Sequence, residues 1–126
     1  MNANETIDQV FNEIHQGKDF YIVLGNFLDE FYRQDSENQQ KMIEEEPSNY
    51  DLPVYQKAFM AAAVHKLAND YNLNVPSWVF KKDYYSSEPY FDCNAKGNLK
   101  LLFMYISPAE FKHRNLFVDE NILKRV

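Results

Sequence analysis

Phe20, Val23, Leu24, Phe27, Leu28 and Phe31 recur at three- and four-residue spacing, which makes one continuous apolar stripe about three helical turns long. No strand can use this pattern, because its side chains alternate faces every second residue. A helix with such a stripe must lay it against other helices or a sheet. Asp19 opens the segment as a cap, Tyr21 and Tyr32 widen the stripe, and Asn26, Asp29, Glu30 and Arg33 mark the solvent face. Gly25 lowers helix propensity but allows a neighbouring element to come close.

The flanking segments carry the same signature. Thr6 followed by Gln9 is a capping box, Ile7, Val10, Phe11 and Ile14 form a stripe, and Gly17 ends it. Ser36 and Gln39 read as a second capping box, starting a short helix through Met42 and Ile43. Glu44, Glu45 and Glu46 oppose the dipole of that helix at its C-terminus, so the run before Pro47 reads either as a solvated loop or as an electrostatic contact. The longest helix is expected over 52–71, with Pro53 in its first turn and Asn72 and Asn74 closing it. Tyr55, Phe59, Ala62, Ala63 and Leu67 would line one side.

The second half changes character. Trp78, Phe80, Tyr84, Tyr85, Tyr90 and Phe91 crowd a stretch interrupted by Pro76 and Pro89, so short turns and loop are expected, with the rings in the core. Residues 94–98 read as a turn. Residues 99–106 are apolar except for Lys100, and their length and flanks admit either a strand or a buried helix. Ser107, Pro108 and Glu110 are placed to cap, start and support a further helix. Asp119, Glu120 and Asn121 open a last short turn. The expected fold is mostly α: one compact helical domain over 1–126, its second half in short helices and loops, with room for one short strand pair.

A chain of 126 residues is long enough to bury a core without staples, and its single cysteine, Cys93, excludes an internal disulfide. A lone thiol of this kind reads as a small buried apolar side chain. The start lacks a basic region followed by an apolar one, and no stretch has about 18 consecutive apolar residues, so the expected location is cytoplasmic with no membrane contact. A net charge of −6 argues against direct nucleic-acid binding, which depends on neutralising phosphates; it serves solubility and is also compatible with docking onto a basic protein.

The chain shows none of the familiar catalytic constellations. Gly17, Gly25 and Gly97 form no phosphate loop, and His15, His65 and His113 stand on separate segments without metal-ligand spacing. Neighbouring acids such as Asp29 and Glu30 diverge by about 100° on a helix, so they do not converge on a substrate. The expectation is a non-enzyme with no cofactor and no metal. Lys112, His113 and Arg114 form the densest basic spot, which suits a helix C-terminus or a docking patch for an acidic surface.

One group of motifs carries a resemblance. Asn74-Val75-Pro76-Ser77-Trp78, Ser87-Glu88-Pro89-Tyr90-Phe91 and Ser107-Pro108-Ala109-Glu110-Phe111-Lys112-His113-Arg114-Asn115-Leu116-Phe117-Val118, followed by Asn121, Leu123 and Arg125, resemble a poorly characterised bacterial family of small helical proteins or C-terminal modules that follow a helix-turn-helix regulator domain. Tyr90 stands where that pattern has Trp. The resemblance covers the second half of the chain; the first half is acidic and shows no helix-turn-helix, so DNA binding is not carried over. It implies an antitoxin-like partner of a nucleotidyltransferase-like protein. The expected function is therefore a non-catalytic protein-binding module, with a transcriptional regulator or a Cys/His enzyme as alternatives. Glu88, Pro89, Tyr90, Phe91, Arg114, Asn115 and Phe117 are the candidate partner-binding residues. The same residues could instead hold the second half together, with Arg114 paired to Glu88.

Overall fold

The computed structural model describes residues 5–125. Thr6 and Gln9 make both hydrogen bonds of the capping box, and α1 runs Ile7–His15 with Ile7, Val10, Phe11 and Ile14 buried. Asp19 accepts from the Ile22 N–H, and α2 runs Phe20–Arg33 with its whole apolar stripe inside. The cap of α3, Ser36–Glu44, is Asp35 rather than Ser36. The Asp35 carboxylate takes the Asn38 N–H at 3.0 Å, and a charged acceptor is favoured at that end of the helix dipole. Gln39 turns inward instead and donates to the Phe31 carbonyl at 3.0 Å.

α4, Val54–Asp70, is the central helix. Ala58 to Val64 are buried at every position, as are Leu67 and Ala68, so it is enclosed on all sides and not along one stripe. Its small run Ala61, Ala62 and Ala63 leaves room for neighbours around the axis. It ends where Tyr71 and Asn72 turn away, with Asn72 in the left-handed region at φ 58°. One buried cluster runs from Ile7 to Leu123 and includes Phe11, Phe27, Phe31, Phe59 and Phe111. Each such ring contributes roughly 1.5–3 kcal/mol by leaving water.

Beyond α4 the chain follows short 3-10 turns at Ser77–Phe80, Lys82–Tyr84 and Asp92–Asn94. Trp78 and Tyr84 join the core; Phe80 stays half exposed. The Trp78 indole donates to the Ile43 carbonyl at 3.1 Å, giving its polar edge a partner. Glu46 leaves the solvated acidic run to meet Lys81 Nζ at 2.6 Å and the Tyr84 hydroxyl at 3.1 Å.

A two-residue strand β1, Tyr90–Phe91, pairs in parallel with β2, Leu116–Phe117, in the register Tyr90 to Leu116 and Phe91 to Phe117. Parallel strands need a crossover, which here contains α5, Gly97–Ile106, and the four-residue α6, Ala109–Lys112. The ambiguous run 99–106 is thus a helix. Ser107 ends α5 and does not cap α6: its hydroxyl donates to the Phe103 carbonyl and accepts from the Val118 N–H at 2.9 Å. The last residues return to α2, where Tyr32 donates to the Leu123 carbonyl at 2.6 Å and Arg125 pairs with Asp29 at 2.9 Å. Among the described residues, no helix is long and apolar enough to cross a membrane.

Candidate functional site

α5 is a helix because a parallel strand pair must be bridged, and its Leu- and Met-rich sequence has good helix propensity. Its composition would place it inside a core, yet Phe103 is its one buried residue. Leu99 is 43% exposed, Leu101 63%, Leu102 48%, Met104 45% and Tyr105 85%. At 3.6 residues per turn, Asn98, Leu101, Leu102 and Tyr105 fall on one outward stripe, with Leu99 and Met104 on its flanks. Monomeric proteins seldom show water a contiguous apolar patch of more than a few hundred Å², and larger ones mark interaction sites. The expectation of a buried segment here is overturned.

Three lysines border this face: Lys96 at the N-cap, Lys100 in the helix, and Lys112, whose Nζ donates to the Tyr105 carbonyl at 3.3 Å. No acid interrupts residues 93–109. The Lys100 ammonium lies 4.7 Å from the centroid of the Phe91 ring, which stacks on Phe117 at 4.9 Å. Phe91 and Phe117, two of the sequence-derived candidates, are half-buried beneath the basic edge of α5.

The other candidates separate into a groove and a clip. Glu88, Pro89 and Tyr90 line an open groove of about 400 Å³ with Val54, Tyr55, Ser86 and Ser87. The Tyr90 ring stacks on Tyr55 at 4.5 Å, and its hydroxyl, with that of Tyr21, converges on the buried carboxylate of Asp92. Burial, then the hydrogen bond to Asp92, holds the Tyr21 phenol far above its ordinary range. Cys93, expected inside, is exposed, with its backbone at φ 59° and its Sγ 3.6 Å from Asp92 Oδ2. The carboxylate pushes the thiol pKa up, which is the reverse of what activates a nucleophile.

Arg114 is fully buried. Its Nη2 donates to the Val79 carbonyl at 2.9 Å, its Nη1 donates to the Glu110 carbonyl at 2.9 Å and meets His65 Nδ1 at 3.2 Å, and the guanidinium carbon lies 4.8 Å from the Tyr85 ring. It is an internal strut, as the alternative reading allowed, but it joins α4, the 3-10 turn and α6 rather than pairing with Glu88. Asn115 sits at φ 69°; its carbonyl takes the Tyr90 N–H at 3.0 Å and its amide reaches the Ser86 carbonyl at 3.4 Å. Arg114 and Asn115 therefore clip 86–90 to the strand pair.

Sequence reasoning passed over Leu101, Leu102, Met104 and Tyr105. The signal was present: a run with no polar face flanked by lysines has nowhere to show water a compatible surface. Among the described residues, no group of three His, Cys, Asp or Glu side chains could hold a metal ion. Comparison with protein-family models, curated proteins and solved structures gave no match.

Proposed function

We propose that the chain is a non-catalytic protein-binding module that docks through α5. The observation that supports this is the set of five large apolar side chains, Leu99, Leu101, Leu102, Met104 and Tyr105, that α5 turns to solvent. Tyr105 is the natural anchor, because aromatic rings carry much of the energy of protein interfaces and lose few rotamers on binding. The half-buried Phe91 and Phe117 extend the surface, and the lysines at its edge set which partners approach productively. In the finer form drawn from the C-terminal resemblance, the module is the antitoxin-like companion of a nucleotidyltransferase-like protein.

The test is affinity capture of the tagged chain from its host lysate beside Leu101→Lys and Tyr105→Lys. A stoichiometric partner that both substitutions release, with thermal melting unchanged, supports docking through α5. A partner retained equally by both variants removes the role assigned to this helix.

A further inference from the structure

Resting on the docking reading of α5, we propose that its occupant is a second copy of this chain, in a two-fold dimer whose α5 helices lie antiparallel. Asn98, Leu101, Leu102 and Tyr105 follow the i, i+3, i+4, i+7 spacing of a helix–helix seam. The seam is symmetric about its middle. A two-fold axis near Leu101 and Leu102 sets leucine against leucine and brings each Asn98 amide toward the Tyr105 hydroxyl of the facing copy.

Area supports this occupant. At roughly 200 Å² for a large apolar side chain fully exposed, the five side chains of α5 show on the order of 500 Å² to water. Two facing copies that also close over the flanking Leu99 and Met104 would cover up to about 1,000 Å², the threshold at which a specific interface becomes credible.

Sedimentation equilibrium of the full chain tests the proposal. The weight-average mass of the wild type should rise with concentration from one chain toward two. Leu101→Lys and Tyr105→Lys should stay at one chain with unchanged circular dichroism. In a Cys93→Ser background, Leu102→Cys alone should form a disulfide-linked dimer under mild oxidation, and Asn98→Cys should cross-link to Tyr105→Cys when the two are mixed. A wild type that remains one chain at every concentration overturns the dimer, as does association undiminished in Leu101→Lys. A monomer that co-sediments with phosphatidylglycerol-containing vesicles, but not with phosphatidylcholine alone, assigns the face to a lipid surface and also overturns it. The docking reading fails separately, through the capture experiment with the same variants.

Discussion

Nη1 of Arg114 lies 3.2 Å from Nδ1 of His65, and because arginine can only donate, that nitrogen must be the acceptor of a neutral imidazole. Burial, and then the guanidinium itself, lower the His65 pKa; Glu110 opposes this and His113 adds to it. The linkage follows in sign. A group whose folded pKa is depressed contributes stability in full above its unfolded value, about 6.5 for histidine, and loses it as pH falls through the folded one. The urea midpoint of the wild type should therefore decline below about pH 6.5, and His65→Asn should flatten that part of the profile. A decline of equal steepness in the variant would show that other groups cause it.

Truncating Arg114 strands the Val79 and Glu110 carbonyls together with His65. Arg114→Ala should lower unfolding stability by about 3 kcal/mol, the range for breaking a buried, charge-assisted network. Arg114→Lys should recover only part of this, since an ammonium cannot span partners arranged for a planar fork. Denaturant titration measures both, and full rescue by lysine would contradict the strut.

Exposure alone would make Cys93 reactive, but Asp92 disfavours its thiolate. Alkylation at neutral pH should be slower than for a free cysteine, and Asp92→Asn should speed it. A wild-type rate above that of free cysteine would reopen a nucleophilic role for this thiol.

A Cβ on Gly25 would stand 2.9 Å from Arg125 Nη2, the end of a flexible side chain. Gly25→Ala gains roughly 0.5–1 kcal/mol of helix propensity and disturbs the exposed, solvent-screened Arg125–Asp29 pair. The net change should be a slight stabilisation or none, because the propensity gain outweighs or offsets the loss of a screened surface pair. A double-mutant cycle should find the coupling between Arg125 and Asp29 present in the wild type and absent in Gly25→Ala.

Phe103 and Leu101 stand on opposite sides of α5, one 6% and the other 63% exposed. Phe103→Ala should destabilise by about 3 kcal/mol, whereas Leu101→Lys should stay within about 0.5 kcal/mol of the wild type. Thermal melts at concentrations where the wild type is a single chain check the contrast.

The first two helices were legible because their capping residues and apolar periods agree, as at Thr6 with Gln9 and at Asp19 with the stripe to Phe31. Asp35 displaced Ser36 as the cap because adjacent residues offered the same chemistry and the helix dipole favours the charged one. The second half was less legible because its segments are short and its key bonds are distant in sequence. Ser107 serves Phe103 and Val118, and Arg114 serves Val79 and His65. Spacing does not encode such pairings. For α5 the period was ambiguous, and composition argued for burial; only the fold shows that, among the described residues, none covers Leu101, Leu102 and Tyr105.

Docking of a protein on α5 can be read in cells by site-specific photo-cross-linking. A photoreactive phenylalanine at Tyr105 is compared with one at Glu37, exposed on the polar surface of α3. Position 105 should give a discrete cross-linked species, lost when Leu101→Lys is added, and position 37 should give none. Cross-linking at 105 no stronger than at 37 would contradict it.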